Sequence, residues 1–292
     1  MKSYLNVFIM KMIIIAVLCF VVLFGTFKLG TNFPVLISYR NDGFDLNDLR
    51  AQMDIEILRK YWLIPPSVNI EPNMNDHDFS QVGQSKVVDK ILNGKTNGIY
   101  IECGASDGHI SNTEYFENYR NWIGLLVEPT PEFEGILKHD RNAWLLNACI
   151  GINQQIQQSI IQLGPMNWGW SGLQDAILPR NIKKAKENKT SKIIVQCFPF
   201  STILKALNWT TIDYFSLDVE GAEEAILETI PFDDVHIRVF TIEFSGSGSK
   251  QEDAFKLDRM RQFFTQRNYT EWGVLGKDGS FPLGLDVVFH KL

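Results

Sequence analysis

The chain has 292 residues, of which 45% are hydrophobic, 12% aromatic and 21% charged, and it carries a net charge of -6. That composition is globular and long enough for one sizeable α/β domain with an extension. The acidic balance, with no basic cluster in the main body, argues against a nucleic-acid partner.

The amino-terminal stretch MIIIAVLCFVVLFGTF (12–27) carries no charge. Joined to VFIM (7–10) across Lys11 it reaches about 21 residues, a membrane-spanning length. Lys11 sits near one end, where it snorkels to the headgroups. A cleaved signal peptide is the competing reading, but LFGTFKLG places Leu23, Phe24 or Lys28 where a cleavage site needs a small side chain. Lys2 and Lys11 precede the apolar run; Lys28 and Arg40 follow it, diluted by Asp42 and Asp45. That asymmetry favours a signal-anchor whose body faces the lumen. Sequons at Asn188, Asn208 and Asn268 fit a lumenal body. The expected organisation is a cytoplasmic tail (1–6), a transmembrane signal-anchor (7–29), a stem with one helix (30–79) and a folded domain (80–292).

Within the stem, LNDLRAQMDIEILRKYWL (46–63) has a helical pattern that ends at Pro65-Pro66. From residue 80 the pattern is βαβ. Residues 84–92 read as a helix and GIYIECG (98–104) as a buried strand. Ser111-x-x-Glu114 reads as a capping box opening a helix through Tyr119. WIGLLVEP (122–129) is a second strand, PEFEGILK (131–138) a short helix and AWLLNACI (143–150) a third strand. Then QQIQQSIIQLG (154–164) alternates as an edge strand does. The loop NWGWSGLQD (167–175), a basic segment and the strand KIIVQCF (192–198) follow. STILKALN (201–208) is helical, IDYFSLDVEG (212–221) a near-continuous apolar strand and GAEEAILETI (221–230) its helix. RVFTIEFS (238–245), a helix over 252–266 and a hairpin through YTEWGVLG and LDVVFHK close the chain. These elements predict a doubly wound, mostly parallel sheet with a C-terminal antiparallel hairpin. Of the body cysteines, Cys103, Cys149 and Cys197 read as small buried hydrophobes. A Cys149–Cys197 bridge is the alternative if the body faces an oxidising lumen.

Ligands of such sheets sit at the carboxyl ends of the strands, where strand order reverses. Glu102, Gly104, Asp107 and Gly108 follow the first strand, Glu128 ends the second, Asp218 and Glu220 end the strand over 212–221, and Glu243 ends the next. Gly104 and Gly108 let backbone approach a ligand without a Cβ. The helix after them points free N–H groups toward it. An acid at Glu128 accepts hydrogen bonds from ribose hydroxyls. Together these features indicate a nucleoside. The spacing Glu-x-Gly-x-x-x-Gly is not a dinucleotide fingerprint, and Glu102 and Asp107 repel a pyrophosphate. S-adenosylmethionine, with a ribose, an ammonium, a sulfonium and no phosphate, suits an acidic rim better than NAD. Trp168 and Trp170, in the long insert, divide evenly between a platform for a sugar face and local packing, whereas Trp122 reads as core.

The blocks YIECGASDGHISNTEYFE (100–117), WIGLLVEP (122–129), LLNACIG (145–151) and especially IDYFSLDVEGAEEAIL (212–227) resemble the FkbM-type methyltransferase family. The stretches SQVGQ (80–84) and CFPFSTIL (197–204), with the membrane anchor, resemble its animal, membrane-anchored Star-like subgroup. The resemblance implies a class I methyltransferase fold. It implies S-adenosylmethionine over Gly104 and Gly108, its methionine end near Glu102 and Asp107, its ribose at Glu128 and its adenine near Asn147. It implies methyl transfer to a hydroxyl, here of a glycan in the endoplasmic reticulum or Golgi. Asp218 is then the first candidate for the base that takes the hydroxyl proton, with Glu220 and His109 as runners-up. Asp218 and Glu243 also resemble oxygen ligands of a divalent cation, although no metal is expected. The Star-like resemblance implies an alternative of a different class: a non-catalytic membrane protein that moves growth-factor precursors as cargo through the secretory pathway.

Overall fold

A computed structural model describes residues 46–66, 80–137, 141–164, 170–278 and 281–292. The tail, the signal-anchor, most of the stem and Trp168 of the later insert lie outside the described residues. Among the described residues, no helix is long and apolar enough to cross a membrane.

In chain order, α1 (Leu46–Tyr61) and β1 (Leu63–Ile64) precede α2 (Gln84–Ile91). A βαβαβ run follows: β2 (Ile99–Cys103), α3 (Glu114–Arg120), β3 (Ile123–Val127), α4 (Phe133–Ile136) and β4 (Ala143–Leu146). An insert holds β5 (Cys149–Ile150), β6 (Gln157–Gln162), β7 (Gly172–Leu173), α5 (Pro179–Glu187) and β8 (Lys192–Phe198). The chain finishes with α6 (Phe200–Leu207), β9 (Thr211–Leu217), α7 (Glu223–Leu227), β10 (His236–Glu243), α8 (Lys250–Thr265), β11 (Thr270–Leu275) and β12 (Asp286–His290).

The main sheet runs β1-β4-β3-β2-β9-β10-β12-β11. Its centre is parallel, with β2 flanked by β3 and β9 and β9 by β10. β12 is antiparallel to both β10 and β11, as the hairpin predicts. Strand order reverses between β2 and β9, which places the switch point there. Alternate residues of each strand enter two cores. Ile101, Leu125, Phe215 and Phe240 face one side with Phe200 of α6, Ile226 of α7 and Phe264 of α8. Tyr100, Leu126, Tyr214 and Val239 face the other, with Val88 of α2, Phe116 of α3 and Ile136 of α4. Helices therefore cover both faces, and the central strands read as continuous apolar runs for that reason.

The structure departs from the sequence expectation in four places. The strand expected over 143–150 is two: β4 ends at Leu146 in the main sheet, and β5 pairs with β8 in a second sheet, β5-β8-β6-β7. The basic segment is the helix α5, with Pro179 in its first turn. The helix expected over 221–230 shortens to Glu223–Leu227, because Glu220 and Gly221 hold positive φ angles of 59° and 127°. The helix α1, expected within the stem, packs into the core of the domain that follows it. Leu58 of α1 is fully buried, and Arg59 donates to the carbonyl oxygens of Ala206 and Lys205 at the end of α6.

Cys149 and Cys197 are directly opposite in the β5–β8 pair and form a disulfide, while Cys103 is free and buried. The bridge closes a loop of 48 residues that contains the whole insert. Cross-linking such a loop restricts the unfolded chain. Replacing both cysteines by serine is predicted to lower the unfolding free energy by about 2–4 kcal/mol in urea titrations. Unchanged stability would show that the bridge contributes nothing to holding the insert.

Candidate active site

The C-terminal ends of β2, β3, β9 and β10 share one rim. A cavity of about 230 Å³ opens there, lined by Glu102, Gly104, Glu128, Glu132, Asp218 and Glu220 among others. Among the described residues, these five acids meet no lysine, arginine or histidine in the cavity wall. The insert supplies the opposite wall through Ser171, Gly172 and Leu173 of β7 and the residue before it.

Gly104 has a positive φ of 87°, and a Cβ built on it collides with the carbonyl oxygen of Asp218. The backbone of Asp218 also donates to the Cys103 carbonyl at 3.0 Å. The glycine therefore lets the turns after β2 and β9 touch. Gly108 (φ 83°) closes its turn by donating to the Ala105 carbonyl at 3.0 Å.

Glu102 is buried, and its carboxylate is fully engaged by its own chain. It accepts from the Ser111 hydroxyl (2.7 Å), the Asn112 amide (2.8 Å) and the Thr113 hydroxyl (2.5 Å). The Glu114 amide donates to Ser111 Oγ at 3.2 Å, but α3 begins at Glu114 with Thr113 at its N-cap, so Ser111 lies ahead of the helix and the expected capping box does not open it. Burial pushes the Glu102 carboxyl above its ordinary range, while Arg141 and these donors pull it back. Its role in the geometry is to fix the start of α3 beside the cavity.

Glu128 is buried at the end of β3. Each of its oxygens accepts one backbone N–H, from Ser106 at 2.9 Å and Thr130 at 2.7 Å. A carboxylate oxygen accepts more than one hydrogen bond, so acceptor capacity remains for a ligand hydroxyl. Burial raises its pKa and the Thr130 and Ser106 donors lower it. Glu132 accepts from the Ser106 hydroxyl at 2.6 Å. Its pKa is pushed up to about 7, chiefly by burial, with Glu128 and Asp107 adding to the rise.

Asp218, Glu220 and Glu243 form the other half. Their donor oxygens lie within 4.8 Å of one another. Burial, followed by repulsion from neighbouring acids (Glu220 and Asp286 on Asp218, Asp218 and Glu220 on Glu243), holds both Asp218 and Glu243 well above the usual carboxylate range. Glu220 is pushed up to about 7 by burial, with Asn181 and Arg180 opposing the rise. Asn181 donates to Glu220 at 2.8 Å. The Arg180 guanidinium stands farther off, 3.7 Å from Glu220 and 4.0 Å from Glu243. Glu223 accepts from the amides of Val219 and Gly221 at 3.0 and 3.1 Å, and from Lys256 at 2.7 Å, bracing the turn from behind.

The structure thus gathers Glu102, Gly104, Glu128, Asp218 and Glu220 around one cavity. Asp107, Gly108, His109 and Asn147 are not in its wall. Asp107 accepts from the His109 amide at 3.0 Å, and His109 is exposed. Asn147 is exposed and donates to the Glu128 carbonyl at 2.8 Å. Sequence reasoning missed Glu132, Arg180, Asn181, Glu223 and Lys256. Glu132 carried a weak signal, lying four residues after a strand-ending acid. Asp286 was missed too: it accepts from buried Gln84 at 2.8 Å, and burial raises its pKa to about 6.

The raised acids make stability depend on pH. Glu132 moves from 4.5 to about 7 on folding, facing the acids Glu128 and Asp107 and the Ser106 hydroxyl. Asp286 moves from 3.8 to about 6, facing Gln84, Glu223 and Lys256. Between the unfolded and folded values the folded state binds more protons, so stability falls as pH rises through that window. Thermal melts from pH 5 to pH 8 are predicted to show a falling Tm. Glu132→Gln should match the wild type at pH 5 and exceed it at pH 8. An equal difference at both pH values would contradict the assignment.

A family model described as a methyltransferase FkbM domain matches residues 102–271. No curated protein matches the sequence. Solved structures similar to the chain include a precorrin-6y C5,15-methyltransferase from Geobacter metallireducens GS-15, at 12% identity and TM-score 0.36 over 71% of this chain and 87% of that one. A fibrillarin pre-rRNA processing protein from Methanococcus jannaschii is 9% identical, with TM-score 0.40 over 75% of this chain and 86% of that one. A 1,6-didemethyltoxoflavin-N1-methyltransferase from Burkholderia thailandensis, solved with S-adenosylhomocysteine, is 11% identical, with TM-score 0.35 over 74% of this chain and 77% of that one.

Proposed function

The chain belongs to the FkbM methyltransferase domain family, and from that premise we propose that it transfers a methyl group from S-adenosylmethionine to a hydroxyl of a glycan in the secretory pathway. The observation that carries the reading is the cavity wall: five acids, no basic side chain among the described residues and a glycine turn at the switch point of the sheet. Such a wall suits a ligand with an ammonium and a sulfonium and repels a pyrophosphate. The residues fit the cofactor. Glu128 retains acceptor capacity for ribose hydroxyls, and the backbone of Gly104 itself borders the cavity.

When bound, S-adenosylmethionine supplies an electrophilic methyl carbon, and sulfur keeps the electron pair of the broken bond. Asp218, at the end of β9 beside Gly104, takes the proton of the acceptor hydroxyl as its oxygen bonds to carbon. Glu243 lies close to Asp218, their donor oxygens within 4.8 Å of each other. Glu220 borders the same space. Most of the acceleration comes from holding oxygen and methyl carbon in line.

The compartment is supported by chemistry on the chain. The Cys149–Cys197 disulfide belongs to an oxidising lumen. The sequon residues Asn188, Asn208 and Asn268 are all exposed, as glycan acceptors must be. With the apolar run over 12–27, these support a type II membrane protein of the endoplasmic reticulum or Golgi.

The test separates binding from turnover. Glu128→Ala is predicted to weaken S-adenosylmethionine binding by roughly 1–3 kcal/mol, because it removes a buried acceptor. Asp218→Asn is predicted to bind the cofactor normally and to lose transfer of labelled methyl groups to glycan hydroxyls. Normal affinity in folded Glu128→Ala would refute the ribose assignment, and retained transfer in Asp218→Asn would move the base elsewhere.

A further inference from the structure

We propose that Asp218, Glu220 and Glu243 form a binding site for one hard divalent cation, of the Mg2+, Mn2+ or Ca2+ class, beside the cavity that Asp218 and Glu220 line. Its existence stands on the cluster and on one unpartnered oxygen within it; its use in catalysis rests on the methyltransferase reading.

Three elements converge on the site. Asp218 follows β9, Glu220 lies in the turn before α7, and Glu243 ends β10. Their donor oxygens come within 4.8 Å of one another, a span that a single ion bridges. The second observation is an orphan. Glu243 is only 4% exposed, and its Oε2 is buried with no hydrogen-bond partner among the described residues. Buried polar atoms are nearly always satisfied, so this oxygen marks a place for a missing partner.

The surrounding cations do not fill that place. Arg180 approaches Glu220 and Glu243 only to 3.7 and 4.0 Å, beyond hydrogen-bond reach. Lys256 is engaged by Glu223 at 2.7 Å. The donor set is all oxygen, with no cysteine thiolate or imidazole, which selects a hard cation over zinc or copper. Three single-oxygen ligands leave about three positions of an octahedron for water and an acceptor hydroxyl. An acceptor hydroxyl held there would be more acidic, which would ease loss of its proton.

The competing way to relieve three adjacent carboxyls is to bind protons, and the experiment separates the two. The full chain in detergent, stripped with a chelator and free of cofactor, is titrated with MnCl2 while free Mn2+ is followed by electron paramagnetic resonance. MgCl2 and CaCl2 are then added as competitors. One saturable Mn2+ per chain, displaced by Mg2+ or Ca2+, is expected. Glu243→Gln should weaken it roughly tenfold or more, and Glu252→Gln, on the exposed start of α8, should leave it unchanged. Glu220→Gln serves as a second variant if Glu243→Gln fails to melt cooperatively. No saturable binding by a cooperatively melting wild-type chain would overturn the site, as would unchanged affinity in a folded Glu243→Gln. S-adenosylmethionine binding in the same samples separates the two proposals. Cofactor binding without a cation sinks the cation site and leaves the methyltransferase reading, whereas a cation without cofactor does the reverse.

Discussion

The turns after β2 and β9 touch at one point, where Gly104 faces the carbonyl oxygen of Asp218 with no Cβ between them. A strand pair fixes the spacing of its backbones, but not how closely the turns beyond it approach. The absent side chain at Gly104 sets that distance. It puts the Glu102–Glu128 half of the cavity and the Asp218–Glu220 half within reach of one ligand. The Asp218 amide bonded to the Cys103 carbonyl holds the same contact from the other side.

Around that contact the molecule concentrates carboxyl groups and then restrains them. Each acid is held in its own way: Glu102 by the start of α3, Glu128 by two loop amides, Glu223 by Lys256. Burial alone makes ionised carboxylates unfavourable, and their mutual repulsion adds to it. A site kept in this condition is poised to accept positive charge, as protons, as a cationic ligand or as a metal ion. The insert belongs to the same arrangement. Its β7 presses on Glu220, since a Cβ on Gly172 would meet the Glu220 carbonyl at 2.9 Å. Its helix α5 brings Arg180 and Asn181 to the acids.

The α/β class I methyltransferase-like fold was legible where burial on both faces leaves an unbroken apolar run, as in WIGLLV and IDYFSL. It was less legible where two sheets meet. Nothing in AWLLNACI shows that the chain leaves one sheet at Leu146 and enters another at Cys149. PRNIKKAKE has too few apolar residues to display a helical face, and its helix is evident only from the acids it covers. The packing of Leu58 and Arg59 of α1 onto the domain depends on a partner helix far along the chain. At the site, strand ends located the acids, because a parallel sheet aligns its carboxyl ends. Which neighbour each acid takes was not legible. The bonds from Ser111, Asn112 and Thr113 to Glu102 arise from a tight turn that spacing alone does not specify.

The most direct test of the central claim is calorimetric titration of the full chain with S-adenosylmethionine and, separately, with NAD. Saturable binding of S-adenosylmethionine alone is the predicted result, because the acidic wall favours its ammonium and sulfonium. Binding of NAD, or of neither ligand by a chain that melts cooperatively, would contradict the account.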